Sequence, residues 1–303
     1  MRLSFAAAFA AVLSVAAPLH AERLTDQPLV DAAWLKSHLG KDGLVVIDVR
    51  DAARDQPNPY EAAHVPGSVS APYSAYGWRV AVDGAPAQLP PIADIEAKIG
   101  ALGVSNDTQV VIVPAGTDSS EFGAATRVYW TFKVLGHDAV TILDGGWKAW
   151  EAADGEKSAE AATPVPATFK ASFRPELYAT TEDVEKARQS GVRLIDGRPA
   201  AQFAGEGKSP VVRAPGTIPG AVNLDQGKFY NVEKASFIGR SEVASLSKAA
   251  GLEEDEESIT FCNTGHWASI AWFGLSEIEG KKNVRLYDGS MAEWAADPAR
   301  PLQ

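Results

Sequence analysis

Cysteine is almost absent from this chain. Of 303 residues only Cys262 carries a thiol. A lone cysteine cannot pair within its own chain, so no disulfide framework supports the fold. Cys262 is a small buried hydrophobe, a link to another chain, or a reactive thiol. Positive charge is also scarce: 28 Lys and Arg stand against 39 Asp and Glu, for a formal net charge of −11. That balance argues against nucleic acid and against an anionic membrane surface as partners. It leaves room for a small anion in a locally positive site. Beyond the N-terminus no apolar run is long enough for a membrane-spanning helix. Metal-ligand spacing is missing too, since Cys262 and histidines 38, 64, 137 and 266 form no ligand pattern. Neither a metal nor an organic cofactor is implied.

The N-terminus has its own pattern. Met1-Arg2 is followed by "LSFAAAFAAVLSVAA" at 3–17 and by "PLHAER". A short positive start, an apolar stretch and the small Ala21 predict a secretory signal over residues 1–21. The apolar run is too short to span a bilayer comfortably. The expected mature chain is soluble and exported, with the bacterial periplasm as its address. Cysteines in such a compartment usually pair, which sharpens the question posed by Cys262.

The chain repeats itself. "LVVIDVRDAARD" at 44–55 matches "VRLIDGRPAAQF" at 192–203, and "HVPGSV" at 64–69 matches "TIPGAV" at 217–222. "VTILDGGWKAW" at 140–150 matches "VRLYDGSMAEW" at 284–294, with an offset four residues smaller. Ordered matches across both halves indicate duplication. The lost residues fall in or near the cysteine loop. There the first half carries "PAGTDSSEFGAA" and the second the tighter "CNTGHWAS". Cys262 then faces Pro114 if the gap follows the strand, or Asp118 if it does not.

Each half alternates strand-length apolar runs ("LVVID", "QVVIV", "VTILD"; "VRLID", "SITF", "VRLYD") with helical patterns. Thr181 and Ser241 look like helix starts. The expected class is α/β, two tandem domains, each a mostly parallel sheet flanked by helices. The boundaries read as 22–151 for a first domain without cysteine, 152–172 for a linker rich in alanine and proline, and 173–303 for the second domain.

Cys262 ends the strand "SITF" and precedes a helix. Ligands collect at the carboxyl ends of parallel strands. The free N–H groups of a helix's first turn favour an anion. A thiolate there is a nucleophile with donors for developing charge, and Gly265 lets the loop turn back. Asn263, Thr264 and His266 fit a packed core badly. His266 reads as a loop histidine that bonds the turn rather than as a proton shuttle, and Trp267 as a pocket wall or interface residue.

With these features on view, the chain resembles the tandem-domain rhodaneses, a sulfurtransferase family, over about residues 22–303. The resemblance rests on the Asp-x-Arg turns (Asp48-Val49-Arg50; Asp196-Gly197-Arg198), the "PG" segments, "GAATRVYWTFKVLGHDAVTILDGGWKAW" and "YDGSMAEW". It implies that Cys262 takes a sulfane sulfur from a donor of the thiosulfate or 3-mercaptopyruvate class. The persulfide then passes that sulfur to cyanide or a thiol, which could belong to a protein. The implied substrate-binding set is Asn263, Thr264, Gly265, His266, Trp267 and Ala268. Asp196, Arg198 and Asp288 give structural support, and Asp288 and Ser290 line the back of the site or cap the last helix. A monomer is expected.

Two departures stand out. The loop from Cys262 to Trp267 has no Arg or Lys, and Gln202 stands where the family commonly has an arginine. Lys208, Arg213 and Lys228 are the nearby charges that could compensate. A cysteine phosphatase needs Cys-x5-Arg to clamp phosphate, but Ala268 is the sixth residue after Cys262. The other alternative is a sulfur carrier or redox-binding module without turnover.

Overall fold

The computed structural model describes residues 23–253 and 256–303. The expected signal, residues 1–21, lies outside the described residues. In the first half the strands are β1 (Leu29–Val30), β2 (Leu44–Asp48), β3 (Val69–Ser70), β4 (Val80–Val82), β5 (Ala85–Gln88), β6 (Gln109–Val113) and β7 (Val140–Leu143). In the second they are β8 (Tyr178–Ala179), β9 (Arg193–Asp196), β10 (Val222–Asn223), β11 (Tyr230–Asn231), β12 (Ser236–Phe237), β13 (Ser258–Phe261) and β14 (Val284–Tyr287). Two five-stranded parallel sheets result, ordered β1-β7-β6-β2-β3 and β8-β14-β13-β9-β10. The central strands β6 and β13 are buried at every position. That burial is why they read as unbroken apolar runs rather than as alternating ones. β4 with β5 and β11 with β12 form two small antiparallel ribbons.

The register resolves the duplication. Asp48 pairs with Val113, and Asp196 pairs with Phe261. The next residues along the central strands are Pro114 and Cys262, so the gap follows the strand and Cys262 faces Pro114.

Helix starts differ slightly from the sequence reading. The helix Thr181–Ser190 is capped by Thr180, not Thr181, because the Thr180 hydroxyl accepts the Asp183 N–H and the Asp183 carboxylate accepts the Thr180 N–H. The helix Arg240–Ala249 begins after Gly239, whose N–H bonds the Glu242 carboxylate, so Ser241 already lies inside it.

The helix Ser119–Val134 is buried on nearly every face. It packs across the domain boundary on the helix His266–Trp272, which continues as a π-helix over Phe273–Glu279. Close approach is possible because Gly123 faces His266: a Cβ there would lie 2.9 Å from the ring Nε2. Thr126 bonds Ser269 at 2.8 Å, and the Tyr129 hydroxyl donates to Glu277 at 2.7 Å. One hydrophobic cluster includes Ile47 and Phe132 from the first half and Trp272 and Leu286 from the second.

The segment 152–172 is mostly irregular and docks on the first half. Its Ala167 N–H bonds the Gly100 carbonyl and its Ser172 N–H the Leu135 carbonyl, while Phe169 is buried.

Candidate active site

Sequence places Cys262 where the central β13 ends, and the fold places that point against the first domain. The thiol is only 1% exposed, yet it lines a cleft of about 630 Å³ between the two halves. Asn263, Thr264, His266 and Trp267 line the same cleft. Tyr73, Arg79, Ser120 and Glu121 complete it from the first domain.

The loop is held from below by Ser290. Its hydroxyl accepts the N–H of Cys262 at 3.1 Å and of Gly265 at 3.0 Å, and donates to the Tyr287 carbonyl at 2.9 Å. Ser290 has φ of 50°, unusual for a non-glycine residue. The three hydrogen bonds and the helix Ser290–Trp294 hold it there. The N–H groups of Met291 and Ala292 take the carbonyls of Cys262 and Asn263. Ser290 is therefore the keystone of the loop, a stronger role than its sequence position suggests. Among the described residues, the N–H groups of Asn263, Thr264, His266 and Trp267 find no acceptor. They are available to an anion.

Gly265 has φ of +74° and lies against the ion pair of Arg127 and Asp288. That pair is fully buried, with Nη1 and Oδ1 2.6 Å apart. The N–H is poorly aimed at the oxygen, so the contact is chiefly a charge pair. The other Asp288 oxygen accepts the Leu89 N–H at 2.6 Å. Asp288 thus ties the active half to the first domain. Asp196 and Arg198 form a buried fork beside β13, with Nη2 to Oδ2 at 2.6 Å. Thr217 adds a hydrogen bond to Asp196, and the Gly197 N–H bonds the Phe261 carbonyl at 2.8 Å. The fork braces the strand end and lies off the cleft. Ala268 is fully buried, and neither it nor Gly265 is among the residues lining the cleft.

His266 is locked between the domains. Its Nε2–H donates to the Ser120 carbonyl at 2.8 Å, and its Nδ1 accepts the Tyr73 hydroxyl at 2.8 Å. Burial, then the nearby Arg79 charge, lowers its pKa to about 3. Trp267 donates its indole N–H to the Ser120 hydroxyl at 2.8 Å. The Asn263 amide donates to Gln202 at 2.9 Å, so the residue in the expected arginine position orients the loop instead.

The charges suggested by sequence go elsewhere. Lys208 donates to the Val212 carbonyl and Arg213 to the Ala295 carbonyl; neither they nor the exposed Lys228 line the cleft. Sequence reasoning passed over Tyr73, Arg79, Ser120 and Arg127, which belong to a domain without a thiol.

The corresponding first-domain loop is closed by its own chain. The Glu121 carboxylate accepts the N–H groups of Ala115 and Gly116 at 2.6 and 2.7 Å.

A family model described as a rhodanese-like domain matches this chain twice, over residues 31–153 and 180–297. The chain belongs to the rhodanese family. Among its relatives is thiosulfate/3-mercaptopyruvate sulfurtransferase 2 of Arabidopsis thaliana, 32% identical over 92% of this chain and 87% of that protein. The rhodanese fold recurs in the crystal structure of SseA from Escherichia coli, described under the 3-mercaptopyruvate sulfotransferases. That structure has a TM-score of 0.73 and 27% identity over 87% of this chain and 98% of its own. An anaerobic ergothioneine biosynthesis enzyme from Chlorobium limicola shares the fold, with a TM-score of 0.78 and 22% identity over 91% of this chain and 70% of that one.

Proposed function

We propose that this tandem rhodanese is a sulfurtransferase that carries sulfane sulfur on Cys262. The observation that carries the reading is a thiol lining the cleft, in a loop where, among the described residues, the N–H groups of Asn263, Thr264, His266 and Trp267 are left for an anion. The Cys262 thiolate attacks the outer sulfur of a donor such as thiosulfate. A new S–S bond forms, the donor's S–S bond breaks, and sulfite leaves with that electron pair. With 3-mercaptopyruvate the C–S bond breaks, its electron pair leaves with pyruvate as the enolate, and the carbon takes up a proton that balances the one lost from the transferred S–H. An acceptor, cyanide or a thiol, attacks the outer sulfur of the persulfide and returns the Cys262 thiolate. Loop N–H groups offset the charge of thiolate and persulfide.

His266 positions the loop; burial and its two hydrogen bonds favour a neutral ring that shuttles no proton. Asn263, Thr264 and Trp267 form the substrate wall. The N-terminal pattern supports export to the periplasm, where near-complete burial would shield the thiol from over-oxidation.

Intact mass spectrometry tests the reading. Incubation with thiosulfate or 3-mercaptopyruvate should add one sulfur atom, removable by cyanide and absent in Cys262→Ser. A free thiol that neither donor loads would replace turnover with a carrier role for a protein-borne sulfur.

A further inference from the structure

The Cys262 loop carries no cation, yet thiosulfate and 3-mercaptopyruvate are anions. Among the residues lining the cleft only one is an arginine or lysine, and it comes from the other domain: Arg79. It directly follows the buried Trp78, whose indole N–H bonds the Ala71 carbonyl at 3.1 Å, and directly precedes β4. Its guanidinium carbon lies 4.5 Å from the centroid of the Tyr73 ring. That ring is fixed in turn by its hydroxyl bond to His266. Arg79 is thus oriented by an aromatic face that belongs to the same cleft as the thiol.

Three carboxylates also line the cleft, but each is committed. Asp51 accepts the N–H and O–H of Ser74 at 2.9 and 2.8 Å. Asp118 caps the long helix through the Glu121 N–H, and Glu121 closes its own loop. Among the described residues Arg79 has no ion-pair partner, although the protein as a whole is acidic. A partly exposed, stacked guanidinium without an ion-pair partner among the described residues, in the same cleft as a thiol, presents a planar fork suited to an oxyanion.

We propose that Arg79 holds the anionic head of the sulfur donor, so that donor selectivity at Cys262 is set by the domain that lacks the thiol. This rests on the sulfurtransferase reading above. The ligand class is a small sulfur compound ending in a sulfonate-type or carboxylate oxyanion. Gln202, at the position commonly arginine in the family, is spent on Asn263, and Arg79 supplies the charge from across the cleft.

The test compares the wild-type protein with Arg79→Gln and Arg79→Lys. Loading of Cys262 by thiosulfate and by 3-mercaptopyruvate is followed by intact mass. Alkylation by iodoacetate and by its neutral analogue iodoacetamide is followed in parallel, as a measure of thiol access. In Arg79→Gln the rate of loading at low donor concentration should fall roughly ten- to a hundredfold relative to iodoacetamide alkylation, as expected for loss of a charge-assisted contact. The iodoacetate-to-iodoacetamide ratio should fall with it. Arg79→Lys should recover part of the loss. A loss confined to thiosulfate identifies a sulfonate anchor, and one confined to 3-mercaptopyruvate a carboxylate anchor. Unchanged loading, or an equal loss for iodoacetamide, overturns the assignment while leaving sulfur transfer intact. A wild-type thiol that alkylates but accepts sulfur from neither donor overturns the sulfurtransferase reading itself.

Discussion

At the scale of single residues, His266 is the instructive case. Its pKa is about 3 when folded, against about 6.5 for a free histidine. Between those values the unfolded chain binds a proton that the native protein does not. The native state therefore has the full benefit above about pH 6.5, and loses it as the pH falls toward 3. This group alone should steepen the loss by up to about 1.4 kcal/mol per pH unit. Urea unfolding of the wild type and His266→Gln at pH 7, 6 and 5 checks this: the wild-type midpoint should fall faster. Parallel curves would place the proton elsewhere. The sequence suggested a loop role for this histidine, but its partners Tyr73 and Ser120 lie 193 and 146 residues away. No local pattern reports such contacts.

At the scale of elements, the strand–loop–helix around Cys262 depends on Gly265. A Cβ there would stand 2.3 Å from Arg127 Nη1 and 2.8 Å from Asp288 Oδ1, on a backbone with φ of +74°. Left-handed strain and overpacking together should make Gly265→Ala cost about 2–4 kcal/mol. Thermal unfolding should register the cost, and persulfide loading should fall even at temperatures where the variant stays folded. Full loading would mean that the loop tolerates a different turn. This element was readable because "SITF" is wholly buried and a glycine follows. The same logic recovered six strands of the two parallel sheets, but not the ribbon strands β4, β5, β11 and β12, which lie outside those sheets. It missed β1, β3, β8 and β10, which are two residues long and gain their identity from the neighbouring strand. It also missed the π-helix after Trp272, because an apolar helical pattern does not distinguish i→i+4 from i→i+5 bonding.

At the scale of the molecule, the two halves meet through charge as well as apolar packing. Removing one member of a fully buried pair leaves the other uncompensated and typically costs about 3–5 kcal/mol. Asp288→Asn should therefore lower stability by that order and loosen the contact with Leu89 and Arg127. Denaturant unfolding and sulfur loading, measured on one preparation, should decline together. A stable variant with full loading would show that domain docking does not need the pair. Duplication was legible from the Asp-x-Arg turns and their spacing. The interface was not, because its residues lie on elements that sequence order keeps far apart.

The closed loop of the first domain is also a cast of the open one. Strand register aligns Ala115 and Gly116 with Asn263 and Thr264, at the same step beyond each central strand. In the first half, a carboxylate from the chain itself sits on those two N–H groups. In the active half the corresponding pair is left bare among the described residues. When the two sheets are overlaid, the oxygens of Glu121 mark coordinates beside Cys262 against which any bound substrate can be compared, an internal ruler written by the gene's own duplication.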